Sequence, residues 1–274
     1  MTDESSSDEV LVRIEDGVAW VTLNRPKVRN ALTIDQRLGL ARLFEGFSAD
    51  HSVRVAVLTG SESCFCSGAD LRALGTPPPK PEGAPDRIIG DGARRLRYGA
   101  QSLTSAILDC EKPVIAAVNG AAVGMGVQLA LACDLVLASD NASFFEVFVR
   151  RGLVPDAGGA YLLPRLIGPQ KTKELLFFGE SLPAQRAYEL GLVNAVVPAE
   201  QLLKTAGEWA HRLAVGPTRA IALSKWLVNR SLDTDREGAF GDEALAVDLN
   251  GHSHDAQEGL QAFAERREAE FVGW

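Results

Sequence analysis

The segment from Val114 to Ala138 constrains this chain more than any other. It is apolar enough to suggest a membrane span, yet Asn119, Gln128, Asp134 and the glycines Gly120, Gly124 and Gly126 interrupt it. A spanning helix needs about 20 mostly apolar residues without such breaks. The reading that fits is a buried strand, a glycine turn, a buried helix over Val127 to Cys133 and a second strand over Asp134–Ala138. Strand and helix in alternation give crossover units with parallel strands, an α/β fold.

The flanking sequence follows the same plan. Val10–Ile14 and Val18–Leu23 are strand-like runs joined by the turn pair Asp16-Gly17. Thr33, with Gln36 three residues later, makes a capping box for a helix whose face carries Leu40, Phe44 and Phe47. Val53–Leu58 reads as a short buried strand. The stretch Gly75 to Pro85 holds five prolines and reads as a loop of the kind that covers sites. Arg94, Arg95 and Arg97 open a helical stretch to about Asp109, and Lys112-Pro113 leads into the strand Val114–Val118. From Pro164 onward the pattern is helical. Pro183 and Gly191 bracket one helix, Gly216-Pro217 divides two more, and Asp255 to Phe271 forms a last amphipathic helix.

The length of 274 residues allows one large domain, or a domain with an appendage. We divide it into a tail at 1–9, a mixed core at 10–200 and a helical region at 201–274, docked on the core. The tail is rich in Ser and acid and lacks the basic and apolar parts of a signal peptide, so it reads as disordered. A hydrophobic content of 46% with 23% charged residues excludes disorder overall, collagen and a disulfide-stapled mini-protein. A net charge of -8 argues against a general binder of nucleic acid or anionic membrane, while leaving room for an anionic ligand held by local cations. The four cysteines (Cys64, Cys66, Cys110 and Cys133) match neither a disulfide framework nor a zinc site and read as reduced thiols of a cytoplasmic protein. His252-Ser253-His254 lacks a third ligand and reads as a polar turn between helices; no metal site is expected.

Two glycine turns stand where chemistry could occur. Phe65-Cys66-Ser67-Gly68-Ala69-Asp70-Leu71 follows one strand, and Asn119-Gly120 to Gly126 follows another and precedes a buried helix. A helix start presents unpaired N–H groups and the positive end of the dipole. Two N–H groups aimed at one point make an oxyanion hole, and glycine lets a ligand carbonyl come close. On spacing alone these are either tight turns or such a site. Neither turn matches a phosphate-loop or dinucleotide fingerprint.

Taken in order, the motifs resemble the enoyl-CoA hydratase/isomerase (crotonase) family. They are Asn24-Arg25-Pro26-Lys27 with Asn30-Ala31-Leu32, the Phe65–Leu71 turn, Lys112–Gly120, Ala130–Leu135, Gly152–Gly159, Leu163-Pro164-Arg165, and Phe263-x-x-Arg266-Arg267-x-x-x-Phe271. The resemblance covers about residues 10 to 271. It implies a spiral of ββα units with a C-terminal helical region used in trimerisation, and a homotrimer or dimer of trimers. It implies an acyl-CoA thioester substrate, with coenzyme A entering as part of the substrate and no separate cofactor. It also implies that the backbone N–H groups of Ala69 and Met125 hold the thioester oxygen. Relatives usually carry glycine where Met125 stands, a change that keeps the N–H. Arg25, Lys27 and Arg29 are implied as contacts for the CoA phosphates, and Ala69, Asp70 and Leu71 as lining the nucleotide and pantetheine path. Phe263 and Arg267, from a neighbouring subunit, would close over the adenine end.

The carboxylates decide the reaction. Hydratases of the family resemble one another in two glutamates around one water, and the corresponding positions here hold Gln128 and Phe148. Neither exchanges a proton as a carboxylate does. Glu146, two residues from Phe148, would lie on the same face of a strand but about 6–7 Å along; it reads first as a surface or ion-paired residue, with partial rescue of hydration as the alternative. Asp156 matches the base of double-bond isomerases and of ring-epoxide isomerases. It also suits a helix N-cap. Its burial should raise its pKa, and Gln128 would orient it or bond the substrate. The expected activity is isomerisation through a thioester enolate. The alternatives are a hydratase of fatty-acid breakdown with altered acid–base residues, and a non-catalytic acyl-CoA-binding subunit.

Overall fold

The computed structural model describes residues 9–73, 82–85 and 89–274. Its elements are β1 (Val10–Glu15), β2 (Val18–Leu23), α1 (Ile34–Ala49), β3 (Val55–Gly60), β4 (Cys64–Cys66), α2 (Asp91–Arg97), α3 (Ala100–Leu108), β5 (Val114–Val118), β6 (Ala121–Val123) and α4 (Met125–Leu131). They continue with β7 (Leu135–Ser139), β8 (Ser143–Phe145), α5 (Gly159–Phe178), β9 (Ser181–Pro183), α6 (Ala184–Glu189), β10 (Ala195–Val197), α7 (Leu202–Ala214), α8 (Thr218–Ser231), α9 (Arg236–Gly251) and α10 (His254–Glu265). No helix among the described residues is long and apolar enough to cross a membrane.

Two sheets grow together as the chain spirals. The larger has the order β1-β2-β3-β5-β7-β10 and the smaller β4-β6-β8-β9. Each turn of the spiral delivers one strand to each sheet and then a helix: β3 and β4, β5 and β6, β7 and β8. The inner pairs are parallel, and antiparallel pairs (β1 with β2, β8 with β9) lie at the edges. β3 and β5 are buried along their whole length, as strands covered on both faces must be. Alternate residues split between two cores. Ala56, Leu58, Ala116 and Val118 face the cluster that includes α1, α3 and α4. Val55, Val57, Ile115 and Ala117 face Leu202, Ala206, Ala210 and Ala214 of α7. The mixed core and the ββα spiral expected from the sequence are therefore present.

Local chemistry explains the starts. Asp16 and Gly17 both take positive φ, closing the β1–β2 hairpin. Thr33 and Gln36 form the full capping box of α1. Asn30, itself at φ 56, ties the preceding turn to the β3–β4 corner through Ser61 and Cys64.

α7 covers the second face of the larger sheet. Several expectations need correction. β9 and β10 interrupt the region read as wholly helical; strands of three residues carry too short a pattern to see. The stretch after Arg94 is two helices, broken where Gly99 packs against the Arg95 carbonyl. The last helix stops at Glu265 because Arg266 turns left-handed at φ 57, so Arg266 and Arg267 lie beyond it. The 1–8 part of the tail and most of the proline-rich loop lie outside the described residues, but Glu9 is fixed by Arg25 and Gln36. The C-terminal region is pinned to the core by Lys225, which pairs with Asp134 at 2.9 Å, and by Arg54, which donates to Thr218 Oγ1 and the Gly216 carbonyl.

Candidate active site

The two glycine turns meet. Gly68 sits at φ +94, and a Cβ on it would stand 2.7 Å from the Val123 carbonyl and 3.5 Å from the Met125 nitrogen. Only glycine permits that approach. Gly126 is pressed equally hard against the first turn, since its Cβ would fall 2.2 Å from the Cys66 carbonyl. The bridge between Leu32 and the first turn uses the Gly68 carbonyl and the Asp70 amide, and leaves the Ala69 amide out. The Met125 amide is the first of α4, where no intrahelical acceptor exists. Two main-chain donors with no acceptor among the described residues thus flank the contact between the turns, and such donors suit a developing oxyanion.

Gln128 lies one turn along α4 and is fully buried. Its Nε2 donates to Glu146 Oε1 at 2.7 Å. No hydrogen bond among the described residues joins it to Asp156, whose orientation was one of the two roles expected of it. Its amide also packs on the start of α5, where a Cβ on Gly159 would be 2.6 Å from Nε2. Glu146 is 3% exposed and has no ion pair among the described residues, which corrects the reading of a surface or ion-paired residue. The strand ends at Phe145, and Glu146 opens a short 3-10 turn, Val147–Arg151, that carries it inward. Burial pushes its carboxyl pKa from 4.5 up to about 8, and the Asp156 charge adds to the rise. Gln128 Oε1 and Glu146 Oε2 have no hydrogen-bond partner among the described residues. Phe148, at the second hydratase position, packs its ring beside Gly124.

Asp156 caps nothing. The N-cap of α5 is Gly158, at φ 93, and it makes no side-chain cap bond. The half-buried Asp156 carboxyl accepts no hydrogen bond from the described residues. Burial raises its pKa, against the pull of the Arg37 charge. The following Ala157 carbonyl is held by Thr104 Oγ1 of α3 at 2.8 Å. Arg37 escaped the sequence reading, although its spacing from Leu40, Ala41 and Phe44 on the core stripe of α1 was the available signal.

The residues assigned to CoA separate into two groups. Arg25 is spent internally, donating to Glu9, Asp70 and the Ala31 carbonyl. Asp70 is buried and held far below the usual carboxylate range by Arg72 first and by Arg25. Lys27 and Arg29 are exposed, as is Leu71. Phe263 is 86% exposed on α10, and Arg267 is clamped by Glu258 and Glu265. No group of side chains among the described residues is arranged to hold a metal ion. A cavity of about 1040 Å³ lies elsewhere, lined by Tyr161, Arg165, Trp226 and Leu245 among others, so concavity alone would misplace the site.

Comparison with known proteins fits this geometry. Residues 13–273 match the family described as Enoyl-CoA hydratase/isomerase. The chain is 35% identical over 266 residues to a crotonyl-CoA hydratase of Syntrophomonas wolfei, covering 97% of this chain and 98% of that one. It is 36% identical over 264 residues to the 1,2-epoxyphenylacetyl-CoA isomerase of Escherichia coli, covering 96% and 98%. The crystal structure of an enoyl-CoA hydratase from Bacillus anthracis superposes with a TM-score of 0.87 at 31% identity, over 97% of this chain and 100% of that chain.

Proposed function

The chain belongs to the enoyl-CoA hydratase/isomerase family, and from that premise we propose that it is an acyl-CoA isomerase that moves a double bond through a thioester enolate. One observation carries the reading. The carboxyl at Asp156 caps no helix and accepts no hydrogen bond from the described residues, while the hydratase positions hold Gln128 and Phe148.

The thioester carbonyl sits between the Ala69 and Met125 amides. Asp156 removes a proton from C2, and negative charge moves onto the carbonyl oxygen. The two amides hold that charge, each worth about 3 kcal/mol of barrier. Asp156 then returns the same proton to C4, and the double bond ends in conjugation with the thioester. No proton is gained or lost overall. The raised pKa of Asp156 makes it a stronger base than an exposed carboxylate.

Lys27 and Arg29 remain open to the CoA phosphates, whereas Arg25 serves by holding the Asp70 turn. The exposed apolar residues of α9, Phe240, Leu245 and Val247, support assembly as a homotrimer, with Phe263 offered to a neighbour.

Hydration is the competing reading, and Glu146 favours it by supplying a second carboxyl within the field of Asp156. Purified protein given a 3-enoyl-CoA should develop the ultraviolet absorbance of the conjugated thioester without gaining the mass of water. Rapid hydration of crotonyl-CoA with no conversion of the 3-enoyl thioester overturns the proposal.

A further inference from the structure

Arg37 is a cation on a core stripe. It precedes Leu40, Ala41, Phe44 and Phe47 on the buried face of α1, and is itself only 8% exposed. A buried charge is costly unless it is paired. The one hydrogen bond of its side chain runs from Nε to the Thr33 carbonyl at 3.2 Å. Its two terminal nitrogens have no hydrogen bond and no ion pair among the described residues. The charge it senses is Asp156, whose carboxyl accepts no hydrogen bond from the described residues either. α1 begins just after Leu32, which pairs with the Ala69 turn, and packs on α3, which holds the Ala157 carbonyl. Arg37 therefore stands on a helix that starts beside the Ala69 turn and packs on the helix that holds the residue after Asp156, within the field of the Asp156 carboxyl and with no ion pair to it among the described residues.

We propose that Arg37 recognises the acyl group: its free guanidinium edge takes a neutral acceptor oxygen (carbonyl, ether or hydroxyl) carried beyond the reacting carbons. The proposal rests on the acyl-CoA reading of the site. A guanidinium fork is built for oxygen acceptors, and a hydrocarbon tail would leave its donors unmet. Charge selects a neutral oxygen over a carboxylate. Arg37 and an ionised Asp156 already balance, and burial holds Glu146 toward its neutral form. An anionic tail would add an unmatched negative charge beside Asp156.

The test compares heptanoyl-CoA with thioesters of the same length in which one methylene from C4 to C6 is replaced by an ether oxygen. These saturated ligands cannot react, so calorimetric Kd values read recognition apart from turnover. The wild-type protein should bind at least one ether thioester about tenfold more tightly than heptanoyl-CoA. Arg37→Met should lose that preference while binding heptanoyl-CoA as before, and Arg37→Lys should keep part of it. With the matching 3-enoyl thioesters the preference should appear in KM. Equal affinity for all the thioesters in the wild type overturns the proposal, because water then meets the guanidinium. So does a uniform loss across the series in Arg37→Met with unchanged melting, since Arg37 would then serve Asp156 alone. If the preference holds but no enoyl thioester is isomerised, recognition by Arg37 stands and the isomerase reading falls.

Discussion

The Gln128 amide donates to the Glu146 carboxyl at 2.7 Å inside a sealed region, and each side chain keeps one oxygen without a partner among the described residues. A proton on Glu146 removes one of those unmet acceptors by turning it into a donor. The carboxyl therefore favours its neutral form, with a pKa of about 8 in place of 4.5. The folded protein holds this proton between those two values while the unfolded chain releases it, so stability falls as pH rises through that window. Glu146→Gln keeps a group able to bond Gln128 and cannot ionise. It should match the wild type in thermal melting near pH 5 and melt at a higher temperature near pH 9. An unchanged difference across pH would show that Glu146 is ionised in the fold throughout.

Asp156→Asn should lower kcat by about a thousandfold, in the range for loss of a general base. Circular dichroism should not change, because Asp156 caps no helix. In the wild type, kcat/KM should fall with acidification through a pKa above the ordinary 3.8, since burial raises that of Asp156. Activity retained in the variant would move the base elsewhere.

Met125→Pro removes the amide and leaves the helix start intact, because the first helical position tolerates proline. Gly124, at φ 52 and ψ -122, is already outside the helical region that proline forbids to its predecessor. The expected loss in kcat is about a hundredfold or more, with little change in melting. Met125→Gly, which keeps the N–H, should stay within a few-fold of the wild type. Steady-state kinetics of the two variants side by side decides whether the amide or the side chain matters.

Asn30→Ala tests the scaffold beneath the Ala69 turn. Asn30 is 1% exposed, accepts from the Arg25 amide at 2.9 Å, and donates to the Ser61 and Cys64 carbonyls at 3.1 and 2.7 Å. It also takes a left-handed backbone that alanine resists. Buried groups left unpaired cost about 1–3 kcal/mol each, so urea denaturation should show a loss of about 3 kcal/mol. A loss under about 1 kcal/mol would mean that the corner relaxes around the missing amide.

What the amino-acid order determined by itself was local and repetitive. A wholly apolar run bounded by turn signals, such as Val114–Val118, reads as a covered strand, and the Thr33–Gln36 box reads as a helix start. The two glycine turns and Asp156 stood out in short contiguous strings, but the residues alone left the turns as tight turns or a site, and Asp156 as a base or a helix cap. Tertiary structure decided the rest. Glu146 looked like a surface acid until the chain left the strand at Phe145 and turned it against Gln128, eighteen residues away in sequence. Arg25 looked like a surface cation until the fold turned its Nε to Glu9 and its Nη1 to Asp70. Arg37 was one more charged position on a helix until the fold buried it within the field of Asp156. The physical reason is common to all three. The meaning of a charge depends on how much water and which partners surround it, and those are set by segments distant in the chain.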